Sequence, residues 1–208
     1  MKPSAANPLA DIARLYTDSL LREGATAKGV GWTDPARHTL RFDVLASLLD
    51  GEAMPFSVND LGCGYGALYE YLRGRGFPVD AYLGYDISAA MIEEARARSA
   101  GDNVSYVLSS ALEHDADYCF ASGIFNVRRD CDPDDWLRHV LATLDDLNRH
   151  ARKGFAFNLL STYVEWQAEG LYYGDPSFFF HHCRTHYSRF VTLRHDYPLW
   201  EWTIIVRR

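Results

Sequence analysis

The chain has 208 residues, 48% hydrophobic and 24% charged, which suits one globular domain, with room for a sizeable core and a small appended cap. A net charge of −7 withholds the broad positive field of a nucleic-acid binder, and no apolar run approaches membrane-spanning length. Cys63, Cys119, Cys131 and Cys183 show no paired CxxC spacing, and Met1-Lys2-Pro3-Ser4 lacks a signal-peptide core, so reduced thiols in a cytoplasmic protein are expected.

Leu9, Ile12, Leu15, Tyr16 and Leu20 recur at helical spacing and stop near Gly24. Lys28-Gly29-Val30-Gly31-Trp32 follows, with more glycine than a mere link between helices requires. Asp34-Pro35 then predicts a second helix through Leu40, Val44, Leu45 and Leu48 to Gly51, with Asp34 as N-cap and Pro35 at the first position. From Phe56 the pattern alternates. Segments 56–61, 80–86, 104–108, 118–122 and 154–160 read as strands, separated by helices over about 66–74, 88–99 and from Asp132-Pro133 onward. Trp136, Val140, Leu144 and Leu147 share one face of that last helix.

Such alternation predicts a doubly wound α/β sheet, mostly parallel, with helices on both faces. The end breaks the rhythm. Runs 189–196 and 200–207 are joined only by Tyr197-Pro198-Leu199, too short for a parallel crossover, so an antiparallel C-terminal hairpin strand is expected. The division expected is a helical cap over 1–54 and a sheet core over 55–208.

The densest signal is Asn59-Asp60-Leu61-Gly62-Cys63-Gly64-Tyr65-Gly66, where a strand runs into a glycine turn and a helix start. Helix N-termini and glycine main chain offer N–H groups to a nucleotide-like ligand. Taken literally, Gly62-x-Gly64-x-x-Ala67 satisfies the dinucleotide fingerprint, which leaves a nicotinamide-dependent oxidoreductase open. Asp60 at the strand end, the further Gly66 and the antiparallel finish argue against it.

The run Val58–Gly66 resembles the first motif of class I S-adenosylmethionine-dependent methyltransferases, and the resemblance extends over about residues 55–208. It implies a Rossmann-like fold with S-adenosyl-L-methionine as methyl donor and S-adenosyl-L-homocysteine as product. It implies that Gly62, Cys63, Gly64 and Gly66 form the cofactor turn and that Asp60 faces the methionyl ammonium. Asp86, at the end of the second strand, would accept the ribose hydroxyls, and Ile87 and Met91 would pack on the adenine. Where many members carry an acid after the third strand, this chain has Ser109-Ser110-Ala111-Leu112, so a hydroxyl from Ser109 or Ser110, with the Ala111 or Leu112 amide, is the candidate for the adenine edge. Ser122 stands where cofactor and acceptor meet, and Tyr16, Lys28 and Trp32 would face the cofactor from the cap.

An acceptor that loses a proton needs a base. Asn126, after the fourth strand, is the first candidate for substrate contact, with a turn residue as the alternative. His181 and His182 are candidate catalytic histidines, and His114 and His195 weaker ones. Residues 161–187, rich in aromatics such as Tyr163, Trp166 and Phe179, read as a substrate lid or as packing. His182, Cys183 and His186 offer a zinc-like set without a second ligand cluster, and no metal is expected. The reading is a methyltransferase for a small-molecule acceptor, with a cofactor-binding regulator lacking turnover as the alternative and a homodimer left open.

Overall fold

The computed structural model describes residues 8–32, 34–99 and 101–208; the reading made on residues 1–4 lies outside them. Helix α1 (Pro8–Glu23) leads to a short 3₁₀ turn over Lys28–Val30. Asp34 caps α2 (Pro35–Leu45) by accepting from the Ala36 N–H at 2.8 Å, and Pro35 takes the first turn, as its sequence predicts. The expected second half of that helix tightens into a 3₁₀ turn over Ala46–Leu49.

Strands and helices then alternate: β1 (Phe56–Leu61), α3 (Ala67–Gly74), β2 (Val79–Asp86), α4 (Ala89–Arg98), β3 (Val104–Leu108), β4 (Ala116–Ala121), α5 (Pro133–His150) and β5 (Ala151–Ser161). The chain closes with β6 (Tyr173–Gly174), α6 (Pro176–His186), β7 (Phe190–Arg194) and β8 (Glu201–Arg207). The strands join in one sheet ordered β3-β2-β1-β4-β5-β8-β7, with β6 pairing parallel to the end of β5. β8 runs antiparallel to both β5 and β7, the arrangement the short 197–199 link demanded. The two-residue β6 carried no strand pattern and was not foreseen.

Alternation along the inner strands divides two cores. Phe155, Phe157 and Leu159 of β5 and Trp202, Ile204 and Val206 of β8 meet Trp136, Val140 and Leu144 of α5 on one face. Ala156 and Ile205 point to the other face, covered by Phe42 and Leu45 of α2 and Leu68 and Leu72 of α3. Because β5 is buried on both faces from Gly154 to Leu159, that stretch is apolar but for Asn158, which is why it is readable as an inner strand.

Successive strands run outward from β1 in one direction to β2 and β3, and in the other to β4 and β5. The order reverses between β1 and β4, so a crevice opens beyond their carboxyl ends, at Leu61 and Ala121. Among the described residues no helix is long and apolar enough to cross a membrane.

Candidate active site

The glycine turn lies at that crevice. The N–H groups of Gly62 and Cys63 both donate to the Tyr85 carbonyl, at 2.7 and 2.9 Å, folding the turn back over β2. Gly62 has φ of +78°, and a Cβ built there would sit 2.1 Å from Cγ2 of Ile124, just beyond β4. Both backbone and space exclude a side chain. Gly62→Ala is therefore expected to cost about 1–3 kcal/mol of stability by strain and crowding, read as a lower urea midpoint.

Asp86 joins this turn to the next. Its Oδ2 accepts from the Gly64 N–H at 2.9 Å and its Oδ1 from the Ser88 N–H at 2.8 Å. Ser88 caps α4 by accepting from the Met91 N–H, and its hydroxyl lies 2.8 Å from that of Thr17 on α1. The N-terminal helix is thereby hydrogen-bonded to the end of β2.

Beneath α1 and α2 the crevice becomes a cavity of about 1050 Å³, counted to its open mouth. Asp60, Gly62, Cys63 and Gly64 line it from the turn, and Asp86, Ile87 and Met91 from beyond β2. Ser110 and Ser122 close it from the ends of β3 and β4, and Tyr16 and Trp32 from the N-terminal segment. Trp32 lies over Gly123, whose missing Cβ makes the room: an atom there would be 2.8 Å from the indole.

The charge pattern is lopsided. Asp60 is buried and Asp86 half-buried in the wall, and no lysine or arginine lines it among the described residues. Burial pushes the Asp60 carboxyl up to about 7, against the pull of the Tyr82 hydroxyl that donates to it, and Asp86 adds repulsion. Asp86 is raised by burial too, offset by the N–H groups of Ser88, Gly64 and Ile87. The same surroundings drive the Cys63 thiol upward, burial first and then Asp60 and Asp86, so it stays protonated. Tyr16 is pushed up to about 12 by burial and Asp86.

Two carboxylates in one wall, one buried and one half-buried, without a counter-ion fit a cationic ligand. S-adenosylmethionine carries a sulfonium and an ammonium. A dinucleotide would bring its pyrophosphate against Asp60 with no cation to receive it.

A methyltransferase-domain family model matches residues 58–154, from β1 into β5. Rv1506c of Mycobacterium tuberculosis, which bears a methyltransferase name, is 47% identical over 159 residues, covering 75% of this chain and 95% of its own. The chain belongs to the class I S-adenosylmethionine-dependent methyltransferases. The malonyl-[acyl-carrier protein] O-methyltransferase of Salmonella typhimurium is 32% identical over 112 residues, which are 54% of this methyltransferase and 41% of that one. In fold it matches the S-adenosylmethionine-bound magnesium protoporphyrin IX methyltransferase of Synechocystis with a TM-score of 0.70, over 98% of this chain and 99% of that one at 14% identity.

Other residues singled out in the sequence of this methyltransferase are not among those that line the cavity. Gly66 is the N-cap of α3, its backbone packed against the Tyr106 hydroxyl. Ala111 is exposed, its N–H turned back onto the Ser109 hydroxyl, and Lys28 is exposed as well. Asn126 is buried behind Gly123, where its Oδ1 accepts from the Leu160 N–H at 3.1 Å and its carbonyl from the Tyr172 N–H at 2.9 Å. His181 is exposed on α6, and His182 lies 3.1 Å from the Tyr187 hydroxyl, which donates to Asp145 of α5. His114 and His195 are exposed, the latter stacked on Tyr163.

None of the cavity's lining residues comes from 161–187, the expected lid. Its second half is α6, which buries Phe179 and Cys183 in the α5-side core, while Tyr163 and Trp166 remain exposed. Among the described residues no cluster of three or more His, Cys, Asp or Glu could hold a metal.

Sequence reasoning missed His38 and Phe42 of α2 and His139 and Thr143 of α5, all in the cavity wall. His38 and Phe42 are one helical turn apart, with ring centroids at 4.6 Å, so the spacing was legible. Which face of α2 meets the crevice was not.

Proposed function

We propose that this methyltransferase transfers the methyl group of S-adenosylmethionine to a small organic acceptor, with residues 1–54 acting as a cap over the donor. The observation that carries the reading is the pair of carboxylates, buried Asp60 and half-buried Asp86, in a cavity that no lysine or arginine lines among the described residues, at the point where the strand order reverses. Asp60 takes the methionyl ammonium as a charge-assisted partner. Asp86 holds the turn through the N–H groups of Gly64 and Ser88, one on each oxygen, and turns its remaining acceptor capacity to the ribose hydroxyls. Ile87 and Met91 offer an apolar surface to the adenine, and the Ser110 hydroxyl its edge. The cofactor supplies an electrophilic methyl group. The protein's part is to align an acceptor with it and keep water out.

Calorimetry with S-adenosylhomocysteine and NADH, run side by side, tests the assignment. S-adenosylhomocysteine is expected to bind and NADH not; binding of NADH alone defeats it. Asp86→Ala is expected to weaken S-adenosylhomocysteine about tenfold or more, since charged hydrogen bonds contribute roughly 1.5–3 kcal/mol. Transfer from labelled S-adenosylmethionine into a metabolite extract then separates a catalyst from a cofactor-binding regulator.

A further inference from the structure

Beyond the carboxylates, the cavity wall formed by the N-terminal segment is made of flat rings. Trp32 is braced from behind by Arg41, whose guanidinium carbon lies 3.4 Å from the indole centroid, and it abuts Gly123 at the end of β4. His38 and Phe42 stand one helical turn apart on α2 and line the same cavity. His38 and Arg41 are three positions apart on α2, so they share one side of that helix. The other cavity imidazole, His139, belongs to α5 on the opposite face of the sheet and packs against Trp136. Among the described residues no hydrogen bond engages the ring nitrogens of His38.

Resting on the methyltransferase reading above, we propose that the acceptor is an uncharged, flat molecule methylated at a hydroxyl, and that His38 receives the proton it loses. A carboxylate or phosphate on the acceptor would find no lysine or arginine among the described residues of the cavity wall to receive it. A cationic acceptor would be brought beside a sulfonium. A neutral hydroxyl avoids both costs.

His38 takes the hydroxyl proton while the oxygen lone pair forms the bond to the methyl carbon and the carbon–sulfur pair passes to sulfur. The products are the methyl ether, S-adenosylhomocysteine and an imidazolium. One positive charge is lost at sulfur as one appears on His38, so the charge of the site is constant. Burial and then Arg41 hold the His38 imidazole down to about 4, so it is unprotonated at neutral pH, and the same two causes make the imidazolium it becomes give its proton up to solvent.

The test uses the full chain saturated with S-adenosylhomocysteine at pH 7.5 and titrated with phenol or benzoate, two rings of one size and different charge. Histidine ring resonances are followed by NMR, with His38 assigned through His38→Gln. Phenol is expected to move the His38 resonance and leave those of His182 and His186 in place, with benzoate about tenfold weaker or more. With S-adenosylhomocysteine held at saturation, Trp32→Ala is expected to weaken phenol about fivefold. His38→Gln should keep its S-adenosylhomocysteine affinity. Benzoate binding as tightly as phenol, phenol saturating without moving His38, or neither probe binding overturns the inference. If S-adenosylhomocysteine itself does not bind, the donor reading fails and the inference with it.

Discussion

Asp60→Asn is expected to raise the melting temperature of the ligand-free protein at pH 8 and to remove most of its affinity for S-adenosylhomocysteine. The carboxyl titrates near 7 in the fold and near 3.8 when unfolded, because burial disfavours its charged form. Raised in this way, it binds a proton in the folded state that the unfolded chain has already released. Its contribution to stability is therefore present at low pH and lost as pH rises through about 7. The ionised form costs on the order of 4 kcal/mol at pH 8, about 1.4 kcal/mol for each unit of displacement. Asparagine has no such charge, but it leaves an amide N–H₂ that must find a partner, which offsets about 1–3 kcal/mol.

The net gain should be about 1–3 kcal/mol at pH 8, or roughly 3–8 °C. At pH 5, where Asp60 is already neutral, it should vanish. A loss of stability of the same size at both pH values would show that no buried charge was being relieved. The functional side has its own signature. An ammonium needs the carboxylate, so affinity in the wild-type protein should fall roughly twenty- to thirtyfold between pH 7.5 and 5.5 as Asp60 takes up its proton. The asparagine variant should lose that pH dependence along with about tenfold or more of the affinity, since a charged hydrogen bond contributes roughly 1.5–3 kcal/mol. The site is destabilised until its cation arrives, a usual cost of function.

The sequence showed this arrangement to unequal depth, for physical reasons. The strand-end Asp60, the glycines after it and Asp86 at the end of β2 are neighbours in sequence or one βαβ unit apart, so spacing alone brings them together. The antiparallel close was legible because a three-residue link permits nothing else. His38, Phe42, His139 and Thr143 were not, because each reaches the cavity only through the docking of a whole helix on the sheet. The run 161–187 reads as a lid or as packing because a run rich in aromatics says that rings will be buried, not where. Phe179 went to the α5-side core, beside Trp202 at 5.2 Å. Asn126 was expected at the substrate, yet its Oδ1 and carbonyl both hold backbone N–H groups of the β5–β6 region.

Arg41→Ala is expected to cost about 3–5 kcal/mol of stability at pH 8, the largest loss of any single change at the edge of this site. Arg41 and Glu201 are 7% and 1% exposed, and the Arg41 Nε lies 2.8 and 2.9 Å from the two carboxylate oxygens. The pair ties α2 to the first residue of β8, across 160 positions of sequence. Burial pushes the Glu201 carboxyl up; Arg41 first and the Asn158 amide next pull it back. Without Arg41 the carboxylate stays buried with too few partners, so it ought to take up a proton instead, and the penalty should shrink from pH 8 to pH 5. Pairing Arg41→Met with Glu201→Gln should recover most of the loss, because neither new side chain carries a charge to leave stranded. Urea titrations of the two single variants and the double at both pH values measure the coupling. Equal penalties at pH 5 and 8, or additive losses in the double variant, would assign the cost to packing alone. Arg41 also stacks on Trp32. Even the double variant, with stability recovered, should bind S-adenosylhomocysteine more weakly, because the indole that walls the cavity has lost the cation behind it.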